Sequence, residues 1–105
     1  MKTVDFLDAI RERYQLTSDY KLAKLLGITV QRVSMYRRGS RRFDNQMAVK
    51  AAELLGLNAI QVIACVELER EMRPELRKVW EGVAGRLCIM LSHLLLLGTP
   101  RAPLP

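Results

Sequence analysis

The sequence has few of the residues that build cross-linked or metal-centred proteins. Its two cysteines, Cys65 and Cys88, lie in different regions without a CxxC spacing, and His93 is the only histidine. This pattern disfavours a disulfide framework and a zinc site, and the default compartment is a reducing cytoplasm. The sequence also lacks a Ser–His–Asp pattern, paired catalytic carboxylates and a glycine-rich phosphate loop. We therefore expect no enzymatic activity, no metal and no cofactor.

Long apolar runs are scarce as well. The longest uncharged run, residues 87–100, is shorter than the roughly 20 residues that span a bilayer. The first ten residues have no continuous apolar stretch, which argues against a signal peptide. Hydrophobic residues make up 50% of the 105 residues and charged residues 27%, a composition typical of one folded domain. Because only six residues are aromatic, the core must consist mainly of Leu, Ile, Val and Ala.

Positive charge is in excess and is concentrated in one segment. The chain has 17 Lys and Arg residues against 11 Asp and Glu residues, a formal charge of +6. Residues 20–50 hold eight of these cations and a single acid, Asp44, and four arginines fall within residues 37–42. A solvated surface loop would explain such a run. The flanking Tyr36 and Phe43 favour instead a loop that neutralises nucleic-acid phosphates.

The apolar residues repeat with helical spacing, and no strand-like alternation is sustained. Capping residues, glycines and prolines divide the chain into six predicted helices, which cover residues 4–14, 19–26, 30–38, 45–55, 59–72 and 74–97. The predicted N-caps are Thr3, Ser18, Thr29, Asp44 and Asn58. We therefore predict an all-α protein.

The second and third predicted helices form a motif around Gly27. Ala23 supplies the small residue where the helices cross, and Val33 supplies a buried branched residue in the second helix. The segments LAKLLGITVQRVSMYRRG (22–39) and AVKAAELLGLNAIQVI (48–63) resemble the XRE-type helix-turn-helix family of lambdoid phage repressors and Cro. The resemblance covers about residues 3–63. It implies a five-helix lambda-repressor-like domain that binds double-stranded DNA, and we assign residues 1–73 to this domain.

In that family the second helix of the motif lies in the major groove, and the resemblance carries its roles to particular residues. The positions that imply base contacts are Val30, Gln31, Arg32 and Met35; the Gln31 amide suits adenine. The positions that imply phosphate contacts are Ser18, Tyr20, Ser34, Arg38, Ser40, Arg41 and Arg42. Two alternatives stay open: Val30 and Met35 could belong to the core, and Lys21 and Lys24 could be either phosphate contacts or solvated.

The chain departs from the family pattern at two charged positions. Asp19 stands where the family often has a glutamine, and its carboxylate is interpreted as a helix-capping group. Arg37 stands where the family commonly has a glutamate that pairs with a basic residue of the first helix. The residue that corresponds to this partner is Glu12. We predict a structural ion pair of Glu12 with Arg37, its signs exchanged relative to the family, with two independent solvated residues as the alternative.

The C-terminal third has no family match but carries a heptad pattern: Leu76, Trp80, Val83, Leu87, Met90, Leu94 and Leu97. We predict a long apolar C-terminal helix, residues 74–98, that forms a homodimer interface, and a flexible tail, residues 99–105. The predicted interface is centred on Trp80, Val83, Leu87, Met90 and Leu94. A lid packed on the fifth helix is the alternative, and the nearby charges of Glu81 and Arg86 disfavour membrane attachment.

These features favour a homodimeric transcriptional repressor that binds a two-fold operator, and the resemblance implies a phage or prophage source. The alternative is an antitoxin or adaptor whose C-terminal helix binds a protein partner. In a third interpretation, that helix senses a small molecule or peptide.

Overall fold

The computed structural model of the chain describes residues 2–85. This part folds into six α-helices and contains no strand; the helices are α1 (Thr3–Tyr14), α2 (Asp19–Leu26), α3 (Val30–Arg38), α4 (Asn45–Leu55), α5 (Ala59–Leu68) and α6 (Pro74–Ala84). The predicted all-helical class is confirmed for these residues, and the bounds of α2, α3 and α4 agree with the prediction.

Side-chain caps explain where most of the helices begin. In four N-caps a side-chain oxygen accepts a hydrogen bond from a backbone N–H two or three residues ahead; these are Ser18, Thr29, Asp44 and Asn58. Helix α1 differs, because its N-cap is Lys2 rather than Thr3, and the Lys2 backbone N–H donates to the Asp5 carboxylate at 2.8 Å. Thr3 lies inside the helix with only 2% of its surface exposed.

The core lies where the first five helices meet, and three aromatic rings lie within it. Phe43, in the loop before α4, lies between Phe6 of α1 and Tyr36 of α3, with ring centroids 6.4 and 5.1 Å away. All three rings are buried. Aromatic pairs at these distances stabilise a fold beyond the area that they bury. The rings therefore join the arginine-rich loop before Phe43 to the core.

Helices α5 and α6 pack against each other, and an arginine of α6 donates hydrogen bonds to the end of α5 and to the turn that follows it. The Arg77 guanidinium donates from Nη1 to the carbonyl oxygens of Leu68, at 3.0 Å, and Glu71, at 2.9 Å. Helix α5 ends at Leu68, before the predicted residue 72. Trp80 and Val83 are half-buried against the core, and Ala84 is buried. The beginning of the predicted dimerisation helix therefore lies on its own domain.

The predicted C-terminal helix, residues 74–98, is observed only as far as residue 84, and residues 86–98 lie outside the described residues. Helix α6 ends at Ala84, and Gly85 adopts φ +58°, in the left-handed region that favours glycine. Three of the predicted interface residues, Leu87, Met90 and Leu94, lie outside the described residues. Among the six described helices, none has both the length and the apolar character needed to cross a membrane.

Candidate nucleic-acid interface

The turn between α2 and α3 is closed by backbone bonds and rests on buried side chains. Gly27 ends α2 at φ +72°, and the N–H of Ile28 donates to the carbonyl of Ala23 at 3.0 Å. Beneath this turn Ala23 is 3% exposed and Val33 is fully buried, as predicted for the crossing of two such helices. The motif therefore holds α3 against the domain at a set angle, with one face directed outward.

The outward face of α3 carries four exposed residues at helical spacing: Val30, Gln31, Ser34 and Arg38. Val30 is 44% exposed, so the alternative that placed it in the core is wrong. Met35 is half-buried at the edge of this face. The face thus presents an amide, a hydroxyl, a guanidinium and an isopropyl group, chemistry that can read base edges and bind phosphate.

Arg32 was grouped with the base-contacting residues, but the structure gives its guanidinium two partners within the protein. Its Nε donates to the Tyr36 hydroxyl at 2.9 Å, and its Nη2 donates to Asp44 Oδ2 at 3.1 Å. The guanidinium carbon also lies 5.8 Å from the centroid of the Tyr36 ring. The spacing of four residues between Arg32 and Tyr36 explains this arrangement, since such residues share one helix face. Arg32 therefore links α3 to the start of α4.

The start of α2 lies beside the motif and carries two of the predicted phosphate contacts. The Ser18 hydroxyl oxygen accepts from the Lys21 backbone N–H at 3.2 Å, which leaves the hydroxyl hydrogen for donation. Tyr20 is 58% exposed, and Lys24 Nζ lies 4.9 Å from the centroid of its ring. An exposed tyrosyl hydroxyl and a lysine ammonium over the same ring are both groups that can bind a phosphate oxygen.

The arginines at the end of α3 and in the loop that follows it lie in two different environments. Arg38 and Arg41 are exposed, and Ser40 closes the end of α3 by donating from its N–H to the Met35 carbonyl at 3.1 Å. Arg42 is half-buried, and its Nη1 lies 3.4 Å from Glu67 Oε1 of α5. The last residue of α3, Arg38, and the loop residue Arg41 therefore face solvent, whereas the loop residue Arg42 contacts α5.

A cluster of four charged residues joins α1, α2 and α3. The Arg37 guanidinium donates to both Asp19 oxygens, at 3.1 and 3.3 Å, and also contacts Asp8. Arg11 contributes a second contact to Asp19 at 3.2 Å. Burial alone would lower the pKa of Arg37, but the hydrogen bonds to Asp19 and then Asp8 outweigh it and raise the pKa above its ordinary value.

This cluster adds two carboxylates to the surroundings of Arg37, and the ion pair of Glu12 with Arg37 stays a prediction. The two carboxylates are those of Asp8, one helical turn before Glu12 in α1, and Asp19. Asp19 was interpreted as a capping residue, but Ser18 supplies the cap. The i, i+4 relation of Asp8 and Glu12 was the signal available for Asp8. Because two guanidinium groups offset the Asp19 charge, the start of α2 stays compatible with a bound phosphate.

Comparisons with known proteins agree with this geometry. A sequence model described as helix-turn-helix matches residues 7–60, slightly more than half of the chain. Searches of the curated proteins and of the solved structures gave no significant match. The matched residues include α2, α3 and the arginine-rich loop.

Proposed function

The chain belongs to the XRE-type helix-turn-helix family of DNA-binding transcription regulators, and we propose that it is a sequence-specific repressor that binds a two-fold operator as a homodimer. The observation that carries this proposal is the exposed face of α3, held outward by the buried Ala23 and Val33 beneath it. A repressor of this kind acts by occupying its operator and performs no catalysis. We place it in the cytoplasm of a host cell, encoded by a phage or prophage.

Base recognition is assigned to one edge of α3. The Gln31 amide N–H can donate to N7 of adenine and its amide oxygen can accept from the N6 amino group, while Val30 and Met35 can contact a thymine methyl. Arg32 is the weakest member of the predicted set, because it would have to leave Tyr36 and Asp44 to reach a base. Specificity therefore depends chiefly on Gln31.

Phosphate binding is assigned to groups that flank this edge on both sides. Ser18 and Tyr20 would bind one strand at the start of α2, and the other contacts would come from Ser34, Arg38, Ser40 and Arg41. Arg38 and Arg41 are exposed, as this role requires. Such contacts fix the register of the protein on the duplex without reading its sequence.

The homodimer is proposed from the sequence pattern of the C-terminal segment together with the exposure of α6. Val79 on α6 is 57% exposed, whereas Trp80 and Val83 already pack on the domain. The centre of the interface is therefore assigned to Leu87, Met90 and Leu94 rather than to Trp80 and Val83. An antitoxin or adaptor would use the same segment to bind a different protein.

Selection of bound sequences from a random duplex pool tests the proposal directly. We expect two half-sites related by two-fold symmetry, and Gln31→Ala should cost about 1–3 kcal/mol of binding free energy on that operator while binding to random DNA barely changes. A pool that shows no sequence preference would reject a specific repressor.

Light scattering on the full chain and on Leu87→Asp tests the dimer. We expect a dimer that dissociates in the variant, because two carboxylates would be buried together at the two-fold axis. A chain that is soluble only with a co-expressed protein would support the antitoxin or adaptor instead.

A further inference from the structure

Arg42 is the one predicted phosphate contact that the structure pairs with a carboxylate of the domain. Its guanidinium lies 3.4 Å from Glu67 Oε1, and both side chains are largely shielded, with 25% and 22% of their surfaces exposed. The next residue back, Arg41, is exposed on the same loop. Two adjacent arginines of one loop therefore differ in whether a carboxylate competes for them.

Glu67 is held in place by the structure around the last turn of α5. Two residues on, the Glu69 carboxylate accepts from the backbone N–H and the hydroxyl of Thr3, the latter at 2.6 Å. The Thr3 hydroxyl in turn accepts from the N–H of Phe43 at 3.1 Å, the residue next to Arg42. This partly buried chain of bonds keeps the last turn of α5 beside the end of the arginine-rich loop. Glu67 thus lies beside Arg42 because of the fold, and not by a chance approach of two long side chains.

The contact between the two side chains is nevertheless weak enough to break. At 3.4 Å it is longer than a strong hydrogen bond between charged groups, and Glu67 also lies 4.0 Å from Arg70 on the exposed side of the turn. An ion pair that solvent partly reaches contributes little to stability. A duplex phosphate that approaches the loop is therefore a realistic competitor for the guanidinium.

We propose that Glu67 competes with DNA phosphate for Arg42 and so sets how many phosphates the loop neutralises, an inference that rests on the proposed function. While Glu67 holds the guanidinium, the arginines available to phosphate are Arg38 at the end of α3 and Arg41 in the loop. When a phosphate displaces Glu67, Arg42 adds one more contact and Glu67 keeps Arg70 as a neighbour. Glu67 is thereby a positioning residue that lowers affinity for any duplex, whatever its sequence.

A double-mutant cycle on the full chain tests the competition, with a random-sequence duplex as the probe and fluorescence anisotropy measured over a series of salt concentrations. The variants are Glu67→Gln, Arg42→Gln, both together, and Glu75→Gln as a control that removes an exposed acid from α6. Circular dichroism confirms that each variant is helical. Glutamine keeps the shape of Glu67 and removes only its charge.

We expect Glu67→Gln to bind the duplex roughly 1.5- to fivefold more tightly at low salt, the range expected when a competing partly exposed ion pair is removed. The plot of log K against log salt should become steeper by about 0.9, which is one additional phosphate contact. Both effects should vanish in the Arg42→Gln background, and Glu75→Gln should leave the slope unchanged.

Other outcomes would overturn the proposal. A gain in affinity that persists in the Arg42→Gln background, or that Glu75→Gln reproduces, would show a general charge effect. Normal binding by the unaltered chain with no response to Glu67→Gln would reject the competition alone. Failure of the unaltered chain to bind any duplex would reject the proposed function and the competition with it.

Discussion

Two helix pairs of this protein, α2–α3 and α5–α6, are joined in different ways. In the first pair each helix begins and ends with its own local cap, from Ser18 and Gly27 in α2 to Thr29 and Gly39 in α3. In the second pair the end of α5 depends on Arg77, nine residues past Leu68, and α6 has no side-chain cap. The comparison shows that the ends of α2 and α3, the pair that presents the candidate DNA-reading face, are fixed by residues next to each end. The end of α5 depends instead on a side chain of the following helix.

The first prediction compares the same substitution in the two pairs. Leu22 of α2 is fully buried, and Leu76 of α6 is half-buried. Leu22→Ala should lower the free energy of unfolding by about 2–5 kcal/mol, since it leaves a cavity in a packed core. Leu76→Ala should cost less, because part of that side chain already contacts solvent. Urea denaturation followed by circular dichroism measures both, and equal losses would show that α6 belongs to the core as fully as α2 does.

The second prediction concerns the charge cluster around Arg37, which connects α2 and α3 to α1. Asp19→Asn should lower the free energy of unfolding by roughly 1 kcal/mol, a value reduced because the Asp19 and Arg11 side chains are each 33% exposed. The same variant should bind DNA more tightly at low salt, since Arg11 and Arg37 then lack a full negative charge beside the start of α2. Glu53→Gln, at an exposed position of α4, is the control. Unchanged stability would show that the cluster does not brace α3.

The third prediction concerns the turn of the second pair. Arg77→Met keeps the aliphatic stem but removes both hydrogen bonds to the end of α5, and we expect a loss of about 1 kcal/mol in the free energy of unfolding. Lys78→Met, at an exposed neighbouring position, should change little. Hydrogen exchange of the last-turn amides of α5 should accelerate in the first variant only. If both variants behave alike, the end of α5 does not depend on Arg77.

The smallest expected effect is a pH dependence of the free energy of unfolding, which arises from a carboxyl in the same turn. The hydrogen bond from the Arg73 side chain lowers the pKa of Glu71 to about 2. A carboxyl with a lowered pKa stabilises the fold at pH above its unfolded value of about 4.5, and this contribution is lost as pH falls towards about 2. Arg73→Gln should raise the pKa of Glu71 and flatten the acid limb of a stability profile. Chemical shifts of the Glu71 carboxyl across a pH titration measure this, and an unchanged midpoint would contradict it.

The sequence predicted the elements whose signals are local. Ser18, Thr29, Asp44 and Asn58 cap the helices to which they were assigned, and the crossing residues Ala23 and Val33 are buried. A cap depends on residues within one turn, so its signal survives without knowledge of the fold. The helix-turn-helix motif could be located for the same reason, because Ala23, Gly27 and Val33 lie within ten residues of one another.

The polar contacts between distant residues could not be predicted in this way. The partners Asp8 and Asp19 of Arg37, Glu67 of Arg42 and Glu69 of Thr3 are separated from them by 18 to 66 residues. Charged side chains are long and common on helix surfaces, so spacing alone admits several partners for each. The end of α6 has another reason: the apolar heptad continues in the sequence past residue 85, but α6 ends at Ala84, and Gly85 adopts φ +58°.

The double role of Asp44 has a consequence for anyone who wishes to retarget this protein to a new operator. One carboxylate oxygen caps α4 through the N–H of Met47 at 2.7 Å, and the other accepts from Arg32 at 3.1 Å. Libraries that randomise Gln31 and Val30 leave both hydrogen bonds of Asp44 intact. Their members should therefore fold and differ only in the bases that they prefer. Libraries that include Arg32 alter recognition and the α3–α4 junction together, so a change in the preferred bases could no longer be assigned to the DNA-reading face alone.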